Sequence, residues 1–290
     1  MPDVCLSIVI VTFNSKNSIK ACLSSVFNQD YRDLEVIVVD NGSVDGTVNL
    51  IREKYPQVIL IENKKNLGVC KARNQAIEIA RGIWVLTLDC DIVLENNFLQ
   101  NIRSYADSLS YKIGALQPKI LKPDKKTIYS CGIYLSKSLR RFHDIGQGKR
   151  DSGQFDRSKY IFGLCSAAAL YNRQMLRELK EPTGYFDERF FFLVEDVDLS
   201  WRAQNKGWKI IFFPQAVCYH SGNSSNCDKK MRQFLCFRNR YYSIMKNEGL
   251  KKYFRKIFPL FLYDFPRLFY LILTNHYIHK RLKTVGNSAQ

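Results

Sequence analysis

Between Leu6 and Leu88, short aliphatic runs alternate with segments of helical period, and no other feature of the chain narrows its fold as much. Leu6–Val11 is a short, largely β-branched run, the pattern of a strand buried on both faces. Thr12-Phe13-Asn14-Ser15 follows as a loop. Asn17 or Ser18 is then placed to cap a helix with Ile19, Cys22, Leu23, Val26 and Phe27 along one face. A second strand is predicted at Leu34–Val39, a helix at Gly46–Lys54, a strand at Val58–Ile61, a helix at Val69–Arg81 and a strand at Ile83–Leu88. This order implies an α/β fold with a mainly parallel central sheet and helices on both faces. Sheets of that kind bind ligands at the carboxyl ends of their strands.

After Asp91 the alternation weakens. A helix is predicted over Asn96–Leu109 and a strand over Ile113–Leu116, whereas 118–160 reads as irregular or hairpin structure with mobile loops. Hydrophobic order returns at Tyr160–Tyr171, followed by a helix at Val197–Asn205 and a strand at Lys209–Phe213 closed by Pro214. The 290 residues suit one large domain or two small ones, and 46% hydrophobic content excludes a disordered chain. Nine scattered cysteines without a C-x-x-C pair argue against a disulfide framework or zinc ribbon and for a reducing cytosol. No signal peptide is visible, and Asp264, Pro266 and Arg267 interrupt the apolar C-terminal stretches before they reach the length of about 20 residues that a spanning helix needs.

Polar clusters fall where the strands end. Thr12-Phe13-Asn14 follows the first, and Asp40-Asn41-Gly42-Ser43-Val44-Asp45-Gly46 follows the second. Turn chemistry alone accounts for Asn-Gly and Asp-Gly, yet a carboxylate at such a strand end can also accept bonds from a base or ribose. Neither G-x-G-x-x-G nor G-x-x-x-x-G-K-[ST] occurs, so phosphate is not held in a glycine cradle. Asp89-Cys90-Asp91 closes the Ile83–Leu88 strand with two carboxylates reaching one cleft, hard ligands suited to Mg²⁺ or Mn²⁺ shared with a substrate phosphate. Glu195-Asp196-Val197-Asp198 stands beside an aromatic wall, Phe190-Phe191-Phe192. Acids favour a helix start, but a partly desolvated aspartate there is also placed to take a proton. His220 ends the apolar run from Phe212 and is a candidate for a metal or phosphate role, whereas His276 and His279, among basic residues, read as surface positions.

Taken together, these segments resemble the family 2 glycosyltransferases, which have the GT-A nucleotide-diphospho-sugar fold. The resemblance runs from Leu6 to about Gly249 through Ser7–Asn14, Val38–Gly46, Asn66-Leu67-Gly68 with Ala72-Arg73-Asn74, Leu86–Asp91, Gly163–Ala168, Gly184–Phe192, Glu195–Arg202 and His220-Ser221-Gly222. It looks most like the rhamnosyltransferase-type branch that builds surface polysaccharides. It implies that Thr12, Asn14, Asp40, Asn41 and Ser43 hold the nucleoside, with Asp40 toward the base. Asn66, Gly68 and Arg73 would line the nucleotide-sugar pocket, Arg73 near the diphosphate. Asp89 and Asp91 would hold the divalent ion, His220 would complete its shell, Asp196 would be the catalytic base, and Glu195 beside it would orient a sugar. The expected reaction is inverting transfer from dTDP-rhamnose or a UDP-hexose to an acceptor hydroxyl of a saccharide or lipid-linked saccharide.

The net charge of +17 by itself suggests a polyanionic partner, whether nucleic acid, an anionic membrane or a phosphorylated small molecule. It is unevenly spread: residues 226–290 hold 14 Lys and Arg against 3 Asp and Glu, which leaves +6 for residues 1–225. This division suggests a catalytic domain over 1–225 and a basic, amphipathic helical extension over 226–290. Aromatic and basic residues interleave at Met231–Lys246 and Tyr253–Ile278, a pattern that suits an anionic bilayer surface or a helical pair packed on the domain with its basic face wet. The expectation is a cytoplasmic enzyme held peripherally at the inner face of the cell membrane. A nucleic-acid-binding protein is the competing reading, but no RNP, helix-turn-helix or zinc-finger pattern supports it. A nucleotidyltransferase of similar fold is a closer alternative.

Overall fold

The N-terminal alternation forms the centre of a mixed sheet. The computed structural model describes residues 5–109, 112–136, 141–157, 160–222, 227–249 and 260–278. Its first elements are β1 (Leu6–Thr12), α1 (Lys16–Phe27), β2 (Leu34–Asp40), α2 (Thr47–Lys54), β3 (Ile59–Glu62), α3 (Val69–Ile79) and β4 (Trp84–Asp89). β1 lies parallel between β2 and β4, and β3 pairs parallel with β2. Alternate side chains of β1 enter opposite core layers. Leu6, Ile8 and Ile10 pack with Ile19, Leu23 and Val26 of α1, whereas Val9 packs in the layer containing Ala72, Ala76 and Ile77 of α3. The registers Thr12↔Asp40 and Val11↔Asp89 bring three polar strand ends to one edge.

The second half supplies β5 (Ile92–Leu94), α4 (Phe98–Asp107), β6 (Ile113–Leu121), β7 (Ile128–Ser130), β8 (Ile133–Ser136), β9 (Arg141–Asp144), β10 (Tyr160–Ile161), β11 (Ala168–Asn172), α5 (Arg173–Leu179), α6 (Glu195–Asn205) and β12 (Lys209–His220). The strand order is β10-β12-β6-β11-β4-β1-β2-β3, with β5 on β12, β7 on β6, and β8-β9 as a separate hairpin. β11 runs antiparallel to both β4 and β6.

Several expectations shift. Ser15, not Asn17 or Ser18, occupies the N-cap of α1. Pro214 does not close its strand: β12 continues to His220, because a register shift between Phe213 and Val217 accommodates the residue without a ladder N–H. Tyr160–Tyr171 splits into β10 and β11. Part of 118–160 is ordered as the end of β6 and the strands β7, β8 and β9. α5, whose N-cap Asn172 accepts from the Gln174 and Met175 N–H groups, was not anticipated.

The extension contributes α7 (Lys229–Glu248), one π-helical turn (Leu260–Asp264) and α8 (Phe265–Thr274). α7 packs against α6 and the loop before it. Lys246 Nζ lies 2.9 Å from both Asp187 Oδ2 and Asp198 Oδ2, and Asn247 Nδ2 donates to Asp198 Oδ1 at 2.9 Å. Asp198 is therefore a structural anchor. His276 is exposed as expected, whereas His279 and residues 253–259 lie outside the described residues. Among the described residues, no helix is long and apolar enough to cross a membrane.

Candidate active site

Asp89 ends β4, Asp91 follows the turn into β5, and His220 ends β12. The antiparallel register His220↔Ile92 sets the imidazole beside Asp91. Its Nε2 is 3.1 Å from Asp91 Oδ1 and 3.8 Å from Asp89 Oδ2, and one ligand atom from each of the three residues lies within 4.8 Å of the others. Gly222 N–H donates to Asp91 Oδ2 at 2.9 Å, and the Tyr129 ring meets the imidazole edge-on at 4.3 Å. Burial opposes charge on His220, but the Asp91 and Asp89 carboxylates outweigh it and raise its pKa. Burial also opposes ionisation of Asp91, and there His220 and the Gly222 N–H outweigh it and lower the pKa. Two carboxylates and an imidazole in a field that favours positive charge fit a divalent cation.

Arg73, on α3, joins this triad to α6. Its Nη2 donates to Asp89 Oδ1 (2.9 Å), and its Nη1 donates to Glu195 Oε1 (2.8 Å) and Ser166 Oγ (2.7 Å). The guanidinium is buried and committed to carboxylates, so its visible role is to hold Asp89 and Glu195 in fixed relation. Glu195 is buried too, and desolvation together with the neighbouring Asp196 charge pushes its pKa up, against the pull of Arg73. Asp196 is only partly buried; its Oδ2 accepts from the Ser166 N–H (3.2 Å) and its Oδ1 from the Val197 N–H (2.8 Å). Desolvation outweighs those bonds and pushes its pKa up to about 6, the direction a general base near neutral pH requires.

The loop into α6 is strained. Phe191, Leu193 and Val194 all have positive φ, at 65°, 69° and 71°. Such conformations cost on the order of 1–3 kcal/mol each and persist where the surroundings over-determine them. Asn239 of α7 does so here: its Nδ2 donates to the carbonyls of Phe190, Phe192 and Leu193 at 3.0, 2.8 and 2.7 Å. The extension thus fixes the backbone that aims Glu195 and Asp196.

Two cavities meet at Val69, Asp89 and Phe192. The smaller, about 310 Å³, is lined at the ends of β1 and β2 by Thr12, Phe13, Asn41, Asn66 and Gly68, and on the opposite side by Met231, Leu235 and Tyr277. Asn41 organises it, donating to Asn66 Oδ1 and the Gly68 carbonyl at 3.1 and 3.2 Å and accepting from the Leu67 N–H at 3.1 Å. Gly68 has φ +86°, and a Cβ there would sit 2.5 Å from Phe191 Cδ2, so only glycine fits. Asp40, Asn14 and Ser43 line neither cavity. Asp40 Oδ1 accepts from the Gly42 and Ser43 N–H groups, whereas its Oδ2 is buried with no hydrogen-bond partner among the described residues. Asn14 Oδ1 accepts from the Val44 N–H, and its own N–H donates to Ser43 Oγ, which latches the two loops together.

The larger cavity, about 440 Å³, contains Arg73, Asp89, Glu195, Asp196 and His220. It also contains residues that the sequence reading missed: Ser166, Tyr129, Asp144, Arg141, Arg232 and Tyr263. Ser166 lies inside the quoted Gly163–Ala168 segment, the only signal that could have found it. The remainder come from the irregular region and the extension.

A mixed sheet with a parallel centre, and an acidic, metal-competent strand end between a nucleoside-sized cavity and the Glu195–Asp196 pair, defines a glycosyltransferase of the GT-A fold. Solved relatives agree on the architecture. A fragment of S. aureus TarS, residues 1–349, superposes with TM-score 0.57 at 19% identity over 84% of this chain, and this chain spans 66% of that fragment. The mannosyltransferase PcManGT from Pyrobaculum calidifontis, in complex with GDP-Man and Mn²⁺, superposes with TM-score 0.60 at 18% identity, covering 98% of this chain and 79% of its own. Residues 7–180 match the model of glycosyl transferase family 2, and the chain belongs to that family. Among curated relatives, the N-acetylglucosaminyl-diphospho-decaprenol L-rhamnosyltransferase of Mycobacterium tuberculosis is 29% identical over 249 residues, 79% of this chain and 80% of its own length.

Proposed function

We propose that this glycosyltransferase moves a sugar, with inversion, from dTDP-rhamnose or a UDP-hexose to a hydroxyl of a lipid-linked saccharide in surface polysaccharide assembly. The observation that carries this reading is Asp196, with its raised pKa, facing the same cavity as Asp89 and His220. Asp196 accepts the acceptor's proton as that oxygen bonds to the anomeric carbon. The bond from that carbon to the diphosphate breaks in line, and its electron pair leaves with the nucleoside diphosphate. Ser166 N–H keeps the Asp196 carboxylate oriented, and Arg73 holds Glu195 and Asp89 around the donor. Asp89, Asp91 and His220 would hold a Mg²⁺ or Mn²⁺ ion, which when bound neutralises charge on the departing diphosphate. Thr12, Asn41, Asn66 and Gly68 would hold the nucleoside. A lipid-linked acceptor is supported by the M. tuberculosis relative, whose name specifies a diphospho-decaprenol acceptor. Thermal-shift measurements with a panel of nucleotide sugars and Mn²⁺ test the donor: dTDP-rhamnose or a UDP-hexose raises the melting midpoint, and no shift with any of them removes the reading.

Peripheral attachment to the inner face of the cell membrane is part of this proposal. Phe261, Phe265, Phe269 and Leu273 recur every four residues along the π-helical turn and α8, and each is between 51% and 66% exposed. The opposite side is docked through Asp264 on Arg240, buried Leu271, and Asn275 on the Lys230 carbonyl. A helix that turns its apolar stripe outward and its anchors inward suits an interfacial position in a bilayer. Lys251, Lys252, Arg255 and Lys256 precede the stripe in sequence, and Lys280, Arg281 and Lys283 follow it, which suits anionic headgroups. The full-length protein is expected to sediment with anionic liposomes at low salt, and the Phe265→Glu/Phe269→Glu variant to stay in the supernatant. Equal sedimentation of both would sink the assignment.

A further inference from the structure

Four arginines line the larger cavity, and two of them are neutralised in place. Arg73 is held by Asp89 and Glu195, and Arg240 by Asp264 at 2.7 Å. Arg141, on β9, and Arg232, on α7, form no ion pair among the described residues, although the cavity also contains Asp144, Asp89, Glu195 and Asp196. Three of those carboxylates are engaged elsewhere: Glu195 is on Arg73, Asp89 is on Arg73 and near His220, and Asp196 is on backbone N–H groups. The Arg141 guanidinium lies over the Tyr263 ring, 4.6 Å from its centroid. Tyr263 in turn belongs to the π-helical turn that also carries the exposed Phe261 and Leu262.

Two guanidinium groups without an ion pair on the walls of one cavity offer an anion site, and their planar forks match phosphate oxygens. The diphosphate of the donor has its own counter-charge at the strand ends, where Asp89, Asp91 and His220 favour a cation. Arg141 instead adjoins, through Tyr263, the element whose outer face is apolar, and Arg232 lines the same cavity. We propose that Arg141 and Arg232 receive the diphosphate that joins the acceptor sugar to its lipid, with Tyr263 holding Arg141 in place. The sugar then extends inward toward Asp196 and the lipid outward along the stripe of α8. This inference rests on the reading of the acceptor as lipid-linked.

The test compares the full-length protein with the Arg141→Gln/Arg232→Gln variant. Two probes serve as acceptors: N-acetylglucosamine carrying a short alkyl diphosphate ester, and the same sugar as a plain alkyl glycoside. Loss of two charge-assisted contacts is expected to raise the KM of the diphosphate acceptor by about tenfold or more, while the KM of the donor stays within about twofold. An equal rise in the donor KM assigns the pair to the donor's diphosphate and overturns the proposal, as does an unchanged acceptor KM. A binding arm decides the matter without turnover. With EDTA present, inorganic pyrophosphate is expected to raise the melting midpoint of the unaltered protein and not that of the variant. Equal shifts, or no shift in either, overturn the arginine site. If the unaltered protein transfers to neither acceptor, the lipid-linked reading fails while the pyrophosphate result still decides the site.

Discussion

Replacing Asp196 with Asn is expected to lower kcat by about 10²–10⁴-fold, the range in which a positioned general base contributes, with donor binding retained. The substitution keeps the shape of the side chain and an oxygen to accept from the Ser166 or Val197 N–H, so α6 and the strained loop before it should hold. What is lost is the capacity to take a proton. The pH profile provides a second check with a definite sign. Because burial pushes the Asp196 pKa up to about 6, kcat/KM in the unaltered enzyme should be on its plateau above that value. As pH falls through it, the base becomes protonated and the rate drops about tenfold per unit. An unaltered rate in the variant would remove Asp196 as the base, and an acid limb at the ordinary aspartate range near 4 would remove the upward shift.

Chelation should have an effect of the same order. Dialysis against EDTA is expected to abolish transfer, and Mn²⁺ or Mg²⁺ to restore it. Asp91→Ala should not be rescued by either ion, because the side chain brought beside His220 by the β5–β12 register is gone. Circular dichroism on that variant separates a lost ligand from a lost fold, since Asp91 also accepts from Gly222 N–H. Full activity without metal would refute the assignment of Asp89, Asp91 and His220.

The parts of the site that could be read in the sequence are those that sit immediately after a strand. A parallel strand leaves its last residues at the cleft, so Thr12, Asp89 and His220 are marked by the aliphatic runs before them. Direction is harder to read than position. Asp40 and Asn41 are adjacent, yet the Asp40 carboxylate caps its own turn while the Asn41 amide organises the cavity wall. Likewise Glu195, Asp196 and Asp198 look equivalent in sequence, but the helix turns Asp198 away from the cavity and onto Arg202 and Lys246. Ser166, Asp144 and Arg141 depend on long-range pairing of short strands, which leaves little periodic signal. Pro214 read as a terminus because a missing N–H usually ends a strand, and the irregular register of β12 removes that requirement.

The extension was read from its charge as the part that places the enzyme, and α7 does more than that. Asn239 clamps the loop before Asp196, Met231 and Leu235 wall the nucleoside-sized cavity, and Arg232 and Arg240 wall the other. The family-matched segment ends at residue 180, before any of these contacts can form. A chimera joined at that boundary would therefore take Thr12, Arg73, Asp89 and Asp91 from one parent and Glu195, Asp196, His220, the clamp and the roof from the other. Exchange of the C-terminal segment between relatives cannot act as a simple change of address: it alters the geometry of the reaction in the same event.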